Sequence, residues 1–170
     1  MSKGSIERTQ ARKEEIIRAY EQLFQEKSVR NISMREIGAK TSFTRSSIYN
    51  YFQTKEEIQL GLTIREFTEW KDALQKISER QSMTISQFAE VIAASLADRN
   101  QFIKLISWNH YEIEENSRTE RLAEMQKVTY EAMHLFTICV EKTFPHLSKE
   151  RAQGFMLDFF TYLYGMDCFI

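Results

Sequence analysis

The chain has 170 residues, 42% hydrophobic and 28% charged, with only five glycines and one proline. That length buries a real core, and so few helix breakers permit long helices, which excludes proline-rich linkers, collagen-like repeats and low-complexity tails. The 23 basic and 24 acidic side chains leave a net charge of -1, which as a bare sum speaks against a nucleic-acid binder.

Divided after Leu60, that sum separates. The first sixty residues hold 11 basic and 8 acidic side chains, a +3 head; the remainder holds 12 and 16, a -4 body. Such asymmetry is expected of a protein with one polyanion-binding end. The opening stretch MSKGSIERTQARKEE lacks the apolar segment of a secretory leader. Residues 155–170 are the most apolar stretch, too short and, with Asp158 and Asp167, too charged to span a bilayer. Cys139 and Cys168 stand in apolar, helix-like surroundings and read as buried free thiols in a reducing compartment. The expectation is a cytoplasmic protein without a membrane partner.

Helical periodicity runs almost throughout, and strand alternation is nearly absent. Over residues 9–27, Ile16, Tyr20, Leu23 and Phe24 form one apolar stripe. Ser33-Met34-Arg35-Glu36 has capping-box form and opens a short helix to about Lys40. Thr41-Ser42-Phe43 is a break, and Thr44 can cap a third helix to about Phe52. Thr54-Lys55-Glu56-Glu57 is a second capping box, opening a helix to roughly Ser78. Helical segments follow over residues 83–97 and 101–109. Ser117 caps a long helix that Pro145 stops, and Ser148 caps the last, which runs to about Gly165. The acidic run 112–115 reads as a solvated loop or cap. Eight helices with short connections make an all-α protein.

Residues 33–52 have the size of a helix-turn-helix. On a wheel of the second helix, Ile48 faces inward with Phe52 and Tyr51 near it. Ser46, Asn50 and Gln53 face outward, with Tyr49 on the flank. Between Met34 and Lys55, Glu36 is the lone acidic residue against Arg35, Lys40, Arg45 and Lys55. A small, amide-bearing outer face in basic surroundings suits a phosphate-lined groove.

The run IGAKTSFTRSSIYNYFQTKEEI, residues 37–58, closely resembles the DNA-binding signature of the tetracycline-repressor (TetR) family of transcriptional regulators. It departs from the family at Ser42, where glycine is usual at the turn. The resemblance implies that Arg45, Ser46, Ser47 and Asn50 face base edges or phosphates; arginine can pair with guanine and asparagine with adenine. It further implies phosphate contacts from Tyr49 and Lys55, with Thr44 at the helix start and Ser33 and Arg35 at the preceding helix. Tyr51 stands between a core aromatic and a DNA contact. The resemblance divides the chain into a DNA-binding head, residues 1–53, and an effector-binding and dimerisation body, residues 54–170. That body is one helix short of the family's dimerisation pair, as expected of a chain shortened at its C-terminus, the favoured reading, or of one that dimerises through a different surface.

Most of the body's large apolar residues fill a core. Trp108, His110, Tyr111, Tyr130 and His134 combine ring surface with a polar handle, and are the candidates for lining an effector cavity. Catalysis has little footing. The glycines at 4, 38, 61, 154 and 165 are too dispersed for a phosphate-cradling loop, and His134 and Cys139 do not share a helix face. No enzyme, metal or cofactor is expected. The reading is a homodimeric regulator, a repressor released from palindromic double-stranded operator DNA by an apolar or amphipathic small molecule. The alternative is a helical ligand-binding or protein-interaction module that no longer binds DNA.

Overall fold

The structure is a computed structural model describing residues 3–80, 82–107 and 110–166. Among these residues the regular elements are nine α-helices and one 3₁₀ turn. They are α1 (Lys3–Glu26), the turn Val29–Asn31, α2 (Met34–Ala39), α3 (Arg45–Ile48), α4 (Lys55–Ser78), α5 (Ile85–Ala97), α6 (Asn100–Ser107), α7 (His110–Glu115), α8 (Thr119–Thr143) and α9 (Lys149–Met166). The all-α architecture is the one the periodicity predicts. The acidic run 112–115, expected as loop or cap, lies within α7.

Local chemistry sets the helix ends. Ser33 adopts extended backbone and its side chain accepts from Glu36 N–H, while the Glu36 carboxylate accepts from Ser33 N–H, completing the expected box. Thr84 and Gln87 do the same at α5, which starts at Ile85, two residues later than the expected Met83. At α4 the box is only half formed. Thr54 Oγ1 accepts from Glu57 N–H at 3.1 Å, but the Glu57 carboxylate accepts from Gln53 N–H and Arg118 instead. Ser117 does not cap α8; its Oγ is buried without a hydrogen-bond partner. Ser148 Oγ accepts from Arg151 N–H at 3.4 Å at the start of α9.

The chain divides into two compact units, Met1–Leu62 with Asn109–Ala123, and Thr63–Trp108 with Glu124–Ile170. In the first, α1 buries Ile16, Tyr20 and Leu23, and Ile37, Ile48 and Phe52 are buried in and after the helix-turn-helix. Gly38 lets α3 approach α2: a Cβ there would stand 3.3 Å from Arg45 Cβ. The Tyr20 hydroxyl donates to Gln59 Oε1 at 3.1 Å, satisfying a buried phenol.

The second unit is organised around Trp70, which is fully buried against Phe102, Phe136 and Phe160 at centroid distances of 5.7, 6.3 and 5.6 Å. Its indole N–H donates to Ser95 Oγ at 3.0 Å. Cys139 is buried and free, as expected, and burial pushes its thiol up to about 11. Cys168 lies outside the described residues. Lys142 Nζ donates to the Ser78 carbonyl at 2.8 Å, closing the C-terminus of α4 with a cation.

Replacing Trp70 by alanine removes the ring that Phe102, Phe136 and Phe160 share and leaves a void. Urea denaturation should show a loss of about 3–5 kcal/mol, whereas Trp70→Phe should recover most of it. An alanine variant with wild-type stability would mean that the second unit is not organised around this ring.

Candidate nucleic-acid interface

Polar contacts on both sides hold the helix-turn-helix in place. Glu36 pairs with Lys27 Nζ and accepts from the Ser33 hydroxyl at 2.8 Å. The Lys27 and Ser33 hydrogen bonds bring its carboxyl down to about 2. In the turn, the Thr41 hydroxyl lies within reach of the Gly38 and Phe43 carbonyls at 3.0 and 3.1 Å. The serine at position 42 introduces no left-handed strain: no described residue has positive φ, and Glu15 Oε1 accepts from Ser42 N–H. That hydrogen bond is the main reason the Glu15 carboxyl is lowered from its ordinary value.

α3 is shorter than its signature implies. It spans Arg45–Ile48 rather than continuing to Phe52, because the amides of Asn50 and Tyr51 bond back three residues, to Ser47 and Ile48. Thr44 stands at its N-cap without a side-chain cap bond. Its Oγ1 instead meets the hydroxyls of Ser46 and Ser47 at 2.9 and 3.1 Å.

Ile48 is fully buried, and Thr44, Arg45, Ser46, Tyr49 and Asn50 are exposed with Ser33 and Arg35; Ser47 is half-buried. Arg45 Nη2 donates to the Tyr49 hydroxyl at 3.1 Å, and its guanidinium lies 5.8 Å from that ring's centroid. The two side chains are thereby held together on one turn of exposed backbone. Lys55 is half-buried and its Nζ donates to the Val29 carbonyl at 3.1 Å, leaving two ammonium protons for another acceptor.

One basic residue here escaped the sequence reading. Arg12 of α1 donates to the Tyr51 hydroxyl at 3.3 Å and lies 5.8 Å from the Phe43 centroid. Tyr51 is therefore a half-buried aromatic with its hydroxyl engaged by an arginine. The signal was present, since Arg12 precedes Ile16 by one helical turn and so shares the buried stripe's side of α1. Glu57 and Arg118 were also missed. Glu57 is 1% exposed, and its two oxygens accept from Gln53 N–H (2.8 Å), Arg118 N–H (3.1 Å), Nε (2.6 Å) and Nη2 (2.8 Å). Burial alone would raise its carboxyl. The Arg118 and backbone hydrogen bonds together outweigh that and hold it below its ordinary value.

Three of the aromatic cavity candidates, Tyr111, Tyr130 and His134, have side chains among the described residues. Tyr111 and Tyr130 are exposed, as is His134, whose ring stacks on Tyr130 at 6.2 Å. Side chains at i and i+4 of α8 meet one another there on its solvent side. Trp108 and the side chain of His110 lie outside the described residues. The second unit instead carries an open apolar groove of about 1430 Å³. Ile85, Phe88, Ile92 and Leu96 of α5 line it with Phe136 and Val140 of α8 and Phe155, Phe159 and Leu163 of α9. Asn100, His146, Arg151 and Asp158 add polar groups. Among the described residues no cluster of metal ligands occurs, and no helix is long and apolar enough to cross a membrane.

Comparison with known proteins finds two family models. Residues 16–60 match the bacterial regulatory proteins of the tetR family, and residues 64–168 match the tetracyclin repressor-like C-terminal domain. Among solved structures, the fatty acid degradation regulator FadR from Bacillus halodurans superposes with a TM-score of 0.60 at 16% identity, covering 94% of this chain and 87% of that one. A candidate TetR-family transcriptional regulator from Mesorhizobium loti MAFF303099 gives 0.57 at 19% identity, covering 79% and 69%. Among curated proteins there is no match.

Because the folded-state Glu57 carboxyl is depressed, its stabilisation is present above the unfolded value of about 4.3 and is lost as pH falls through the folded value. Glu57→Gln should lower stability at pH 7 by about 1–3 kcal/mol and flatten the acid limb below pH ~4.5. Denaturation curves collected from neutral to acid pH check this. Parallel limbs for wild type and variant would refute it.

Proposed function

The chain belongs to the TetR family of DNA-binding transcriptional regulators, and we propose that it is a homodimeric repressor that leaves a palindromic operator when an apolar or amphipathic small molecule binds. One observation carries the DNA side. A fully buried Ile48 turns Thr44, Arg45, Ser46, Tyr49 and Asn50 outward on one short element, without an acidic residue among them. In this reading α3 is the recognition helix, lying in the major groove with Arg45 and Asn50 on base edges and Ser46 and Ser47 on bases or phosphates. Ser33, Arg35, Thr44, Tyr49 and Lys55 hold the backbone, and Arg12 adds a further basic group beside Tyr51. Two copies related by two-fold symmetry engage half-sites about one helical turn apart or somewhat more.

The effector side rests on the apolar groove. A concave surface lined by aliphatic and aromatic side chains, with a few polar groups, suits a molecule with a long apolar part. We place the effector there in preference to Tyr111, Tyr130 and His134, whose exposure leaves them nothing to enclose. The exposed Leu157 and Tyr162 of α9 supply apolar surface for the second copy. The effector weakens DNA binding by preferring the conformation whose heads are wrongly spaced. α4, one continuous helix from Lys55 to Ser78, is the element that would pivot.

Fluorescence anisotropy with a duplex from upstream of the protein's own gene tests the DNA assignment. Arg45→Ala should cost about 1–3 kcal/mol and relax sequence preference, while Arg35→Ala should weaken all sequences alike and reduce the salt slope by about one. If wild type binds no such duplex at moderate salt, the reading of a helical module without DNA binding stands instead.

The groove has its own test, because a Cβ added at Gly154, which lines it, meets nothing within 4 Å. Gly154→Leu should fold and bind the duplex like wild type, yet lose release by a long-chain fatty acid used as an amphipathic probe. Equal release of both proteins by that probe would place the effector elsewhere.

A further inference from the structure

We propose that Arg118 is a positioning residue for the recognition helix, setting its exit through the buried Glu57 carboxylate and the Tyr51 carbonyl. The inference rests on α3 being the DNA-reading element. α3 has four residues, too few to hold a helix by its own hydrogen bonds, so its direction is set by what grips its ends. Its entrance is held on the α2 side, where Gly38 lets Arg45 and Ile48 approach closely. Its exit is held by a segment more than sixty positions further along the chain.

The exit contacts converge on two acceptors. Arg118 Nη2 donates to the Tyr51 carbonyl at 3.3 Å and Arg121 Nη2 to the same oxygen at 3.4 Å. Carbonyls at the end of a helical segment lack intrahelical partners, and two guanidinium groups supply them here. The guanidinium of Arg121 lies 5.3 Å from the Phe52 centroid, against the next residue of the chain. Arg118 meanwhile gives Glu57 three hydrogen bonds, and Glu57 uses its remaining capacity on Gln53 N–H. The Thr54 hydroxyl donates to the Asn116 carbonyl at 2.7 Å, tying the same two segments a second time. Residues 51–57 are therefore joined to 116–121 by directional bonds on both sides of the α4 start. A fork-shaped guanidinium can serve a carboxylate and a carbonyl at once; a lysine ammonium at the same site cannot reproduce that geometry.

The test compares wild type with Arg118→Gln and Arg118→Lys, using anisotropy on the upstream duplex across a salt series. Hydrogen exchange of the residue 44–52 amides is measured alongside. Arg118→Gln should lose about tenfold or more in affinity, because a loosened α3 must be ordered on binding, with an unchanged salt slope and faster exchange confined to 44–52. Arg118→Lys should fall between the two. Unchanged affinity with unchanged exchange overturns the inference. So does a salt slope reduced by about one, which marks a direct phosphate contact by the half-exposed Arg118 side chain. If Arg118→Gln does not fold, Arg118→Lys decides on the same readouts. If wild type binds no DNA, the DNA reading fails; exchange alone then decides whether Arg118 orders α3.

Discussion

A four-residue helix has almost no stability of its own, since forming one turn fixes several residues for a single hydrogen bond. In the proposed reading the DNA-reading surface stands on such a helix, α3, so the rest of the first unit acts as its mount. Ile48 anchors its C-terminal end by complete burial, and Gly38 removes the side chain that would keep α3 away from α2. Glu15 fixes the turn at Ser42, Arg12 reaches Tyr51, and Arg118 and Arg121 take the Tyr51 carbonyl. Each of these bonds joins α3 or its flanks to a segment remote in sequence. The motif is local, but its rigidity is tertiary.

That distinction explains what could be read from the residues alone. Capping chemistry and apolar periodicity act over three or four positions, so the Ser33 box, the α1 stripe and the stop before Pro145 were legible. The inward placement of Ile48 followed from the same periodicity. The length of α3 was not legible, because three-residue back-bonds at Asn50 and Tyr51 compete closely with a continued helix. The Thr54 box misled for a similar reason. Glu57 has the right spacing to cap, yet an arginine sixty-one positions away is a better partner for a buried carboxylate than a second backbone amide. No local rule contains that information. Exposure is equally beyond a local rule: a ring with a polar handle describes an exposed Tyr130 as well as a pocket wall.

The charge pattern acquires a similar reading. The near-zero sum hides a basic head whose cations are mostly engaged, Lys27 by Glu36, Lys40 by Glu26, and Arg45 by Tyr49. Exposed ion pairs of this kind contribute little stability. Their consequence is orientation, because a guanidinium held against a tyrosine ring is already partly ordered before DNA arrives and loses less entropy on binding. A modest net charge is thus compatible with a locally basic surface at the proposed DNA-facing residues.

The two units solve opposite problems with opposite materials. Base readout, as proposed for α3, requires donors placed to within a fraction of an ångström, and the first unit holds α3 with directional polar bonds that fail abruptly when stretched. The apolar effector proposed for the second unit would need a site that can adjust, and that unit's core is built from aromatic and aliphatic side chains, Trp70 among them, with Met133 and Met156 packed against it. Apolar packing penalises lost area but is nearly indifferent to angle. A coupling device between such materials must end on the directional side, since a sliding contact transmits no defined displacement. Glu57 meets that requirement: it is buried, it stands in the first turn of α4, and it accepts from Gln53 N–H just beyond α3. Replacing it and Arg118 by well-packed hydrophobic residues would keep much of the stability, and would discard the bonds by which, in the proposed reading, the start of α4 is tied to the exit of α3.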